Sequence, residues 1–198
     1  MARLSLSKSA LHREARQLKT YQRFLPSLDL KRKQLIAERA KAQQALHDSH
    51  ARLDSLQQSV AAEIPMLADH QVGLEGLARV EGAELGEENL LGTRLPVLRQ
   101  VQVVRREYSL LARPHWVDRV QALLVEALEL RLLMQVQHER LARLERAVQK
   151  ITQRVNLFDK VLIPKTRENI RKIGIFLADG ERAAVVRAKI AKSRRLAQ

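Results

Sequence analysis

Histidines are the residues of this sequence with the clearest capacity for metal chemistry, and they are few. His47 and His50 stand three positions apart, so on a helix both imidazoles would share one side and could hold a metal ion together. A histidine pair without a third ligand is more typical of a solvated helix face. His138, followed by Glu139, is likewise expected on an exposed helix surface. The histidines therefore predict no metal site.

Motifs that bind phosphate or activate a nucleophile are missing. The 198 residues contain no G-x-x-x-x-G-K-[ST], no G-x-G-x-x-G, no H-E-x-x-H and no cysteine. Ser7, Ser9 and Ser109 have no histidine and carboxylate in a pattern that would activate a hydroxyl. We therefore expect no catalytic residue, no cofactor and no resident metal, and we expect that the protein is not an enzyme.

Positive charge is the strongest chemical signal of the sequence. The net charge is +14, and it is concentrated at the two ends. Residues 1–60 hold 12 Lys/Arg against 5 Asp/Glu, residues 119–198 hold 18 against 8, and residues 61–118 hold 6 against 9. Such an excess predicts an acidic partner, a nucleic acid or a membrane surface. Aromatic residues make up only 3%, which argues against a stacking platform for single-stranded nucleic acid.

Two long segments carry the heptad spacing of a coiled-coil seam, in alternating steps of three and four in the C-terminal arm and in steps of seven in the N-terminal arm. The C-terminal seam is Val120, Leu123, Ala127, Leu130, Met134, Gln137, Leu141, Leu144, Val148, Ile151, Val155, Phe158 and Leu162, with a less regular continuation at Ile170, Ile173 and Leu177. The N-terminal seam is Leu4, Leu11, Leu18 and Leu25, then, after Pro26 and a register shift, Leu28, Leu35, Ala42, Ser49 and Leu56, with Leu46, Leu53, Val60 and Leu67 in the second position. Since one such helix alone leaves its stripe uncovered, the two arms are expected to pair antiparallel.

The segment between the arms has the composition of turns and strands. Five of the seven glycines lie between Gly73 and Gly92. Residues 80–85 and 95–104 predict short strands, and 86–93 predicts the connection of a hairpin. The expected fold is all-α dominated, a long antiparallel two-helix coiled coil with a small central segment that contains a short β-hairpin. Its expected divisions are an N-terminal coiled-coil helix over 1–63, a hairpin and loop segment over 64–116, and a C-terminal coiled-coil helix with a basic tip over 117–198.

The stretch from Arg154 to Ile173 resembles a signature of the D subunit of V/A-type (vacuolar/archaeal-type) rotary ATPases, with R-x-V-N-A-L-E, then I-P, then I-x-x-I. The matching positions are Val155, Asn156, Ile163, Pro164, Ile170 and Ile173, with Arg154 close to the position of the family's arginine. The central segment is similar to the family's N-I-M-G-x-x-V-P-V at Asn89, Gly92 and Pro96. The resemblance covers nearly the whole chain. It departs from the family pattern at Phe158 and Asp159, where the family has leucine and glutamate.

The resemblance implies a non-catalytic component of the central stalk. Such a rotor shaft transmits torque between ATP hydrolysis or synthesis in the catalytic head and ion (proton or sodium) translocation through the membrane sector. The implied partners are the catalytic and non-catalytic A and B subunits of the head, the small F subunit and the funnel-shaped subunit that links to the membrane rotor ring. Direct nucleic-acid binding and membrane insertion are not expected, and the implied location is cytoplasmic, peripheral to the membrane within the complex. Residues expected to contact the head are Arg3, Lys8, Arg13, Arg182, Arg187, Lys189, Lys192, Arg194 and Arg195.

Two other functions fit the charge and the heptads. A basic coiled-coil protein that binds nucleic acid would show strong, salt-sensitive binding, but no base-reading motif is present. A helical-hairpin stalk protein of a flagellar-type secretion ATPase would need neither the glycine-rich hairpin nor the block from Asn156 to Pro164.

Overall fold

The computed structural model describes residues 4–68, 73–109 and 113–196. Its elements are α1 (Lys8–Glu63), a short 3₁₀-helix (Pro65–Ala68), β1 (Ala78–Leu90), β2 (Thr93–Arg105), α2 (Trp116–Asn156), a π-helix (Leu157–Leu162) and α3 (Ile163–Leu196). Two long helical arms with an antiparallel two-stranded hairpin between them confirm the predicted fold class. The described residues form two compact units, one up to Arg32 together with those from Lys150 onward, the other from Lys33 to Gln149.

The first unit pairs the start of α1 with the end of α2, the π-helix and α3. Tyr21 of α1 meets Phe158 edge to face, with ring centroids 5.4 Å apart. Earlier in α1, the buried Glu14 carboxylate accepts a hydrogen bond from Asn169 Nδ2 at 3.1 Å, which satisfies a polar group that burial would otherwise penalise. The residue numbers of the contacting partners rise from Phe158 to Asn169 as those in α1 fall from Tyr21 to Glu14. The two helical segments of this unit therefore run antiparallel.

The second unit pairs the remainder of α1 with α2, also antiparallel. Arg119 Nε donates to Glu63 Oε2 at 2.9 Å, and the hydrogen bond and charge of Arg119 lower the pKa of Glu63. Further along, the rings of His50 and His138 meet edge to face at 5.9 Å. The expected seam positions are buried or half-buried throughout the described part of both arms. The 3.5-residue period of the sequence therefore accounts for which side chains lie between the helices.

The hairpin is anchored where the second unit has its largest apolar cluster. Leu77, at its base, is fully buried, and the cluster also contains Ile64, Val117, Val120 and Leu123. Gln121 of α2 donates from Nε2 to the carbonyl oxygens of Leu77, just before β1, and Arg106, just after β2, both at 2.9 Å, so one side chain ties both ends of the hairpin to α2.

The strands are longer than the sequence predicts, because the turn is confined to Leu91 and Gly92. Leu90 pairs with Thr93, and the two turn residues have φ of 51° and 78°, the left-handed pattern of a two-residue hairpin turn. Asn89 Oδ1 accepts a hydrogen bond from the Gly92 N–H at 3.0 Å. Gly86, expected in the connection, is instead a strand residue. A Cβ at this position would lie 2.5 Å from Arg99 Nε, so the glycine makes room for that side chain.

The π-helix joins α2 to α3 without ending the helical path. The Ile163 N–H donates to the Phe158 carbonyl oxygen, five residues back. After this wide turn the positions that face inward are Ile163, Thr166, Ile170, Ile173 and Leu177, again in steps of three and four, and all are buried or half-buried. The seam that looked irregular in the sequence is therefore regular on both sides of one five-residue step, from Phe158 to Ile163. Pro164 follows directly, and the wide turn eases the clash that a proline ring makes with the carbonyl four residues earlier.

Candidate interaction surfaces

The end of α3 is an exposed basic helix. Every residue from Asp179 to Arg195 is exposed, including Val185, Val186 and Ile190. Arg182 forms a 3.6 Å ion pair with Asp179 of the same helix. The remaining cations form no ion pair with any part of the chain that the structure describes: Arg187, Lys189, Lys192, Arg194 and Arg195. A helix with unpaired charge and uncovered apolar side chains is a surface suited to a partner.

The residues that the sequence singled out fall into three places. Lys8 and Arg13 are exposed in the first two turns of α1 and belong to the first unit together with the basic end of α3, whereas Arg3 lies outside the described residues. In the family-like block, Asn156 ends α2, Ile163 and Ile173 are buried, Ile170 is half-buried and Pro164 is exposed. In the hairpin, Gly92 lies in the turn and donates its N–H to Asn89 Oδ1 near the end of β1, and Pro96 lies in β2 opposite Glu87. Their predicted roles in binding stay predictions.

An open apolar groove runs between α1 and α2 of the second unit. Its volume is about 500 Å³. Its walls are almost wholly apolar: Leu53, Leu56, Val60, Ile64, Leu67, Val120, Leu123, Leu124, Ala127, Leu128 and Met134, with Gln57 and Arg131 as the polar members. Arg131 is exposed and forms no ion pair with the described residues. The heptad pattern does not show which side of the helix pair carries this groove and which side is covered by the hairpin.

The hairpin lies along α2 and is held near its tip by charge. Arg140 Nη2 and Glu88 Oε2 are 2.9 Å apart, and Arg143 Nη1 and Glu87 Oε1 are 3.9 Å apart. Arg143 also donates to the Arg94 carbonyl oxygen at 3.3 Å. Sequence reasoning missed these contacts. The only available signal was the adjacent Glu87 and Glu88 beside a turn, with arginines spaced i, i+3 on a helix 52 residues later.

Local ion pairs on α2 hold Arg143 in this position. Its Nε donates to Glu139 Oε1 at 2.8 Å, and this hydrogen bond, together with the charges of Arg143 and Arg146, lowers the pKa of Glu139. Arg143 is thus shared between a carboxylate of its own helix and the tip of the hairpin.

The described residues include no cluster of three or more His, Cys, Asp or Glu side chains that could hold a metal ion. His47 and His50 are both exposed, as expected for a solvated face. Across 4–68, 73–109 and 113–196, no helix combines the length and apolarity that a membrane span requires.

Comparison with known proteins decides the family. A family model described as the D subunit of ATP synthase matches residues 10–193. The chain belongs to the ATP synthase D-subunit family. It is similar to the V-type ATP synthase D subunit of Borreliella burgdorferi, with 31% identity over 193 residues that cover 98% of this chain and 95% of the relative. It is also similar to the proteins of the same name from Chlamydia muridarum and Chlamydia trachomatis, each 32% identical and covering 98% of this chain and 96% of the relative.

The match to this family covers the elements that carry the surfaces described above. It extends from the first turns of α1 through the hairpin and the π-helix to residue 193, so it includes most of the basic end of α3. The resemblance drawn from the block around Asn156 and Pro164 is confirmed.

Proposed function

We propose that this D-subunit chain is the central stalk of a V-type rotary ATPase and transmits torque between the catalytic head and the ion-translocating membrane sector. In this role it hydrolyses nothing itself. The observation that carries the proposal is the basic end of α3, a regular helix whose five terminal cations and apolar side chains are uncovered. Antiparallel pairing of α1 with α2 and α3 supplies the stiffness that torque transmission requires.

The basic helix would enter the sleeve formed by the A and B subunits of the head. Exposed charges attract an acidic lining at long range without one deep contact, so the stalk would be held in place while still free to turn. Alanine and valine predominate among the uncharged residues of this stretch, which keeps the apolar contact shallow. Lys8 and Arg13 at the start of α1 would add to the same field.

The apolar groove of the second unit supports a further partner. An open, almost wholly apolar surface between two helices is costly to leave in water. We assign it to the small F subunit, whose contact would place a carboxylate near the unpaired Arg131. Replacing Leu124 with Glu should abolish this association, whereas Leu85→Glu, on the outer face of the hairpin, should leave it intact. Equal binding of both variants would refute the assignment.

The test of the stalk function is assembly of the purified chain with its own A and B head subunits. We expect exchange of Arg187, Lys189, Lys192, Arg194 and Arg195 for Gln to weaken assembly at least five-fold, about the factor that the summed loss of several exposed ion pairs gives. The matched control replaces five exposed cations outside α3, Lys19, Arg23, Arg105, Lys150 and Arg154, which form no ion pair with the described residues.

Salt provides the second readout of the same experiment. Wild-type assembly should weaken between about 50 mM and about 500 mM salt, because screening shortens the range of the attraction, and the α3 variant should lose most of that dependence. Unchanged affinity and salt dependence in the α3 variant would refute the charge mechanism. Recovery of nucleic acid without head subunits, when the tagged chain is pulled from its own cells, would refute the stalk function.

A further inference from the structure

The hairpin is attached to α2 in two places of different kind. At its base, Leu77 is fully buried, and Gln121 donates hydrogen bonds to the carbonyl oxygens of Leu77 and Arg106, the residues that flank the two strands. Near its tip, the side-chain contacts to α2 include the ion pairs of Glu88 with Arg140 and of Glu87 with Arg143. The base is therefore an apolar anchor, whereas the tip is held by ion pairs. The side chains of Glu87 and Glu88 in these pairs are 56% and 50% exposed.

The middle of the hairpin rests loosely on the helices. Two openings of about 430 Å³ and about 310 Å³ lie between β2 and the helix pair. Leu98 and Leu133 line both openings. These openings reduce the area over which the middle of β2 can contact the helices.

The helix surface beneath the hairpin also carries a polar atom that the closed position does not satisfy. Gln137, which lines the smaller opening, has a buried Oε1 that accepts no hydrogen bond from the described residues. A buried acceptor without a donor favours any movement that admits water to it. The unsatisfied Gln137 therefore disfavours the contact between the middle of the hairpin and the helices, whereas the ion pairs at the tip favour it.

We propose that the β1–β2 hairpin is a hinged arm, with its hinge at Leu77 and Gln121 and an ionic latch at Glu87, Glu88, Arg140 and Arg143. Opening the latch lifts β2 from α2 and exposes the apolar surface of Leu98, Leu130 and Leu133. Since exposed ion pairs weaken with salt and with competing charge, the arm opens when ionic strength rises or when an acidic surface engages Arg140 and Arg143. This device does not depend on the proposed stalk function, since every group in it lies within the second unit.

The test measures the distance between hairpin and helix directly. The chain has no cysteine, so spin labels can be placed uniquely at Leu85→Cys on the exposed face of the hairpin and at Gln149→Cys on α2. Electron–electron double resonance on the full chain should show one short distance at low salt and a second, longer distance at high salt. We expect the double variant Arg140→Glu, Arg143→Glu to raise the longer-distance population about five-fold, since it converts two attractions into two repulsions.

A charge swap distinguishes the latch from general damage to the fold. Adding Glu87→Arg and Glu88→Arg to the double variant restores opposite charges and should return the population to the wild-type value. The matched control, Lys150→Glu with Arg154→Glu, changes the net charge equally on α2 and should leave the distances unchanged. The proposal is overturned if the longer distance is absent in the double variant, if the swap fails to restore the short one, or if salt has no effect on the wild-type chain.

Discussion

Truncation of Leu77 offers the sharpest test of how the hairpin is anchored. The side chain is fully buried among Ile64, Val117, Val120 and Leu123, whereas Leu85 in the same hairpin is 61% exposed. Both Leu→Ala changes delete the same atoms. Buried truncations of this kind cost about 3–5 kcal/mol through lost transfer energy and the cavity that remains, whereas exposed ones stay within about 0.5 kcal/mol. We therefore expect Leu77→Ala to lower the free energy of unfolding by about 3 kcal/mol.

The assay uses the single tryptophan of the chain. Trp116 packs against this cluster, so its fluorescence reports on unfolding of the second unit. With a urea slope of about 2 kcal/mol per molar, a loss of about 3 kcal/mol moves the midpoint down by about 1.5 M. Leu85→Ala should leave the midpoint almost unchanged. Equal midpoints for the two variants would refute the argument that the base of the hairpin, rather than its exposed face, is the anchor.

Three further predictions concern the hairpin turn, the ion pair between Glu63 and Arg119, and the π-helix. Leu91→Asn should raise hairpin stability by about 0.5–1 kcal/mol, because asparagine tolerates the left-handed conformation better than leucine; an unchanged urea midpoint would contradict this. Arg119→Gln should reduce the free energy of unfolding at pH values above the unfolded-state pKa of glutamate, about 4.3, and reduce it less at lower pH. The reason is that Arg119 stabilises the ionised form of Glu63, which lowers the pKa of that carboxyl group. Parallel pH profiles of the wild type and the variant would contradict this. Pro164→Ala should keep the π-helix, because the step between the apolar residues requires it; a continuous α-helix in the crystal structure of the variant would assign the wide turn to proline instead.

The helical arms could be predicted in detail because their positions are set by local pattern. A repeat of apolar residues over many turns specifies both the helix and the face that is buried, so Leu35, Leu144 and Val120 were placed correctly. The hairpin was predicted, but the strands extend further toward the turn than expected. Glu87 and Glu88 have low strand propensity, and the partners that support them there, Arg140 and Arg143, come from α2.

Some of the surfaces could be predicted from the sequence and others could not. Charge at the end of α3 is visible in composition, so the basic helix could be predicted from the sequence. The groove and the ion pairs at the hairpin tip could not, because each requires knowing which flank of a helix faces which neighbour. Gly86 shows the limit of residue-type reasoning, since glycine in a turn-rich segment predicts a turn, whereas here it gives room to Arg99.

The five-residue step from Phe158 to Ile163 has a consequence for how the length of the chain can change in this family. A single inserted residue normally rotates everything beyond it by about 100° around the helix axis, which would turn the apolar row of α3 away from α1. The wide turn absorbs that rotation locally, so a chain with one residue fewer between 157 and 162 can keep the contacts on both sides. Deleting one residue there should give an unbroken α-helix with the same contacts, and length differences among relatives would be tolerated here more readily than elsewhere in the arms.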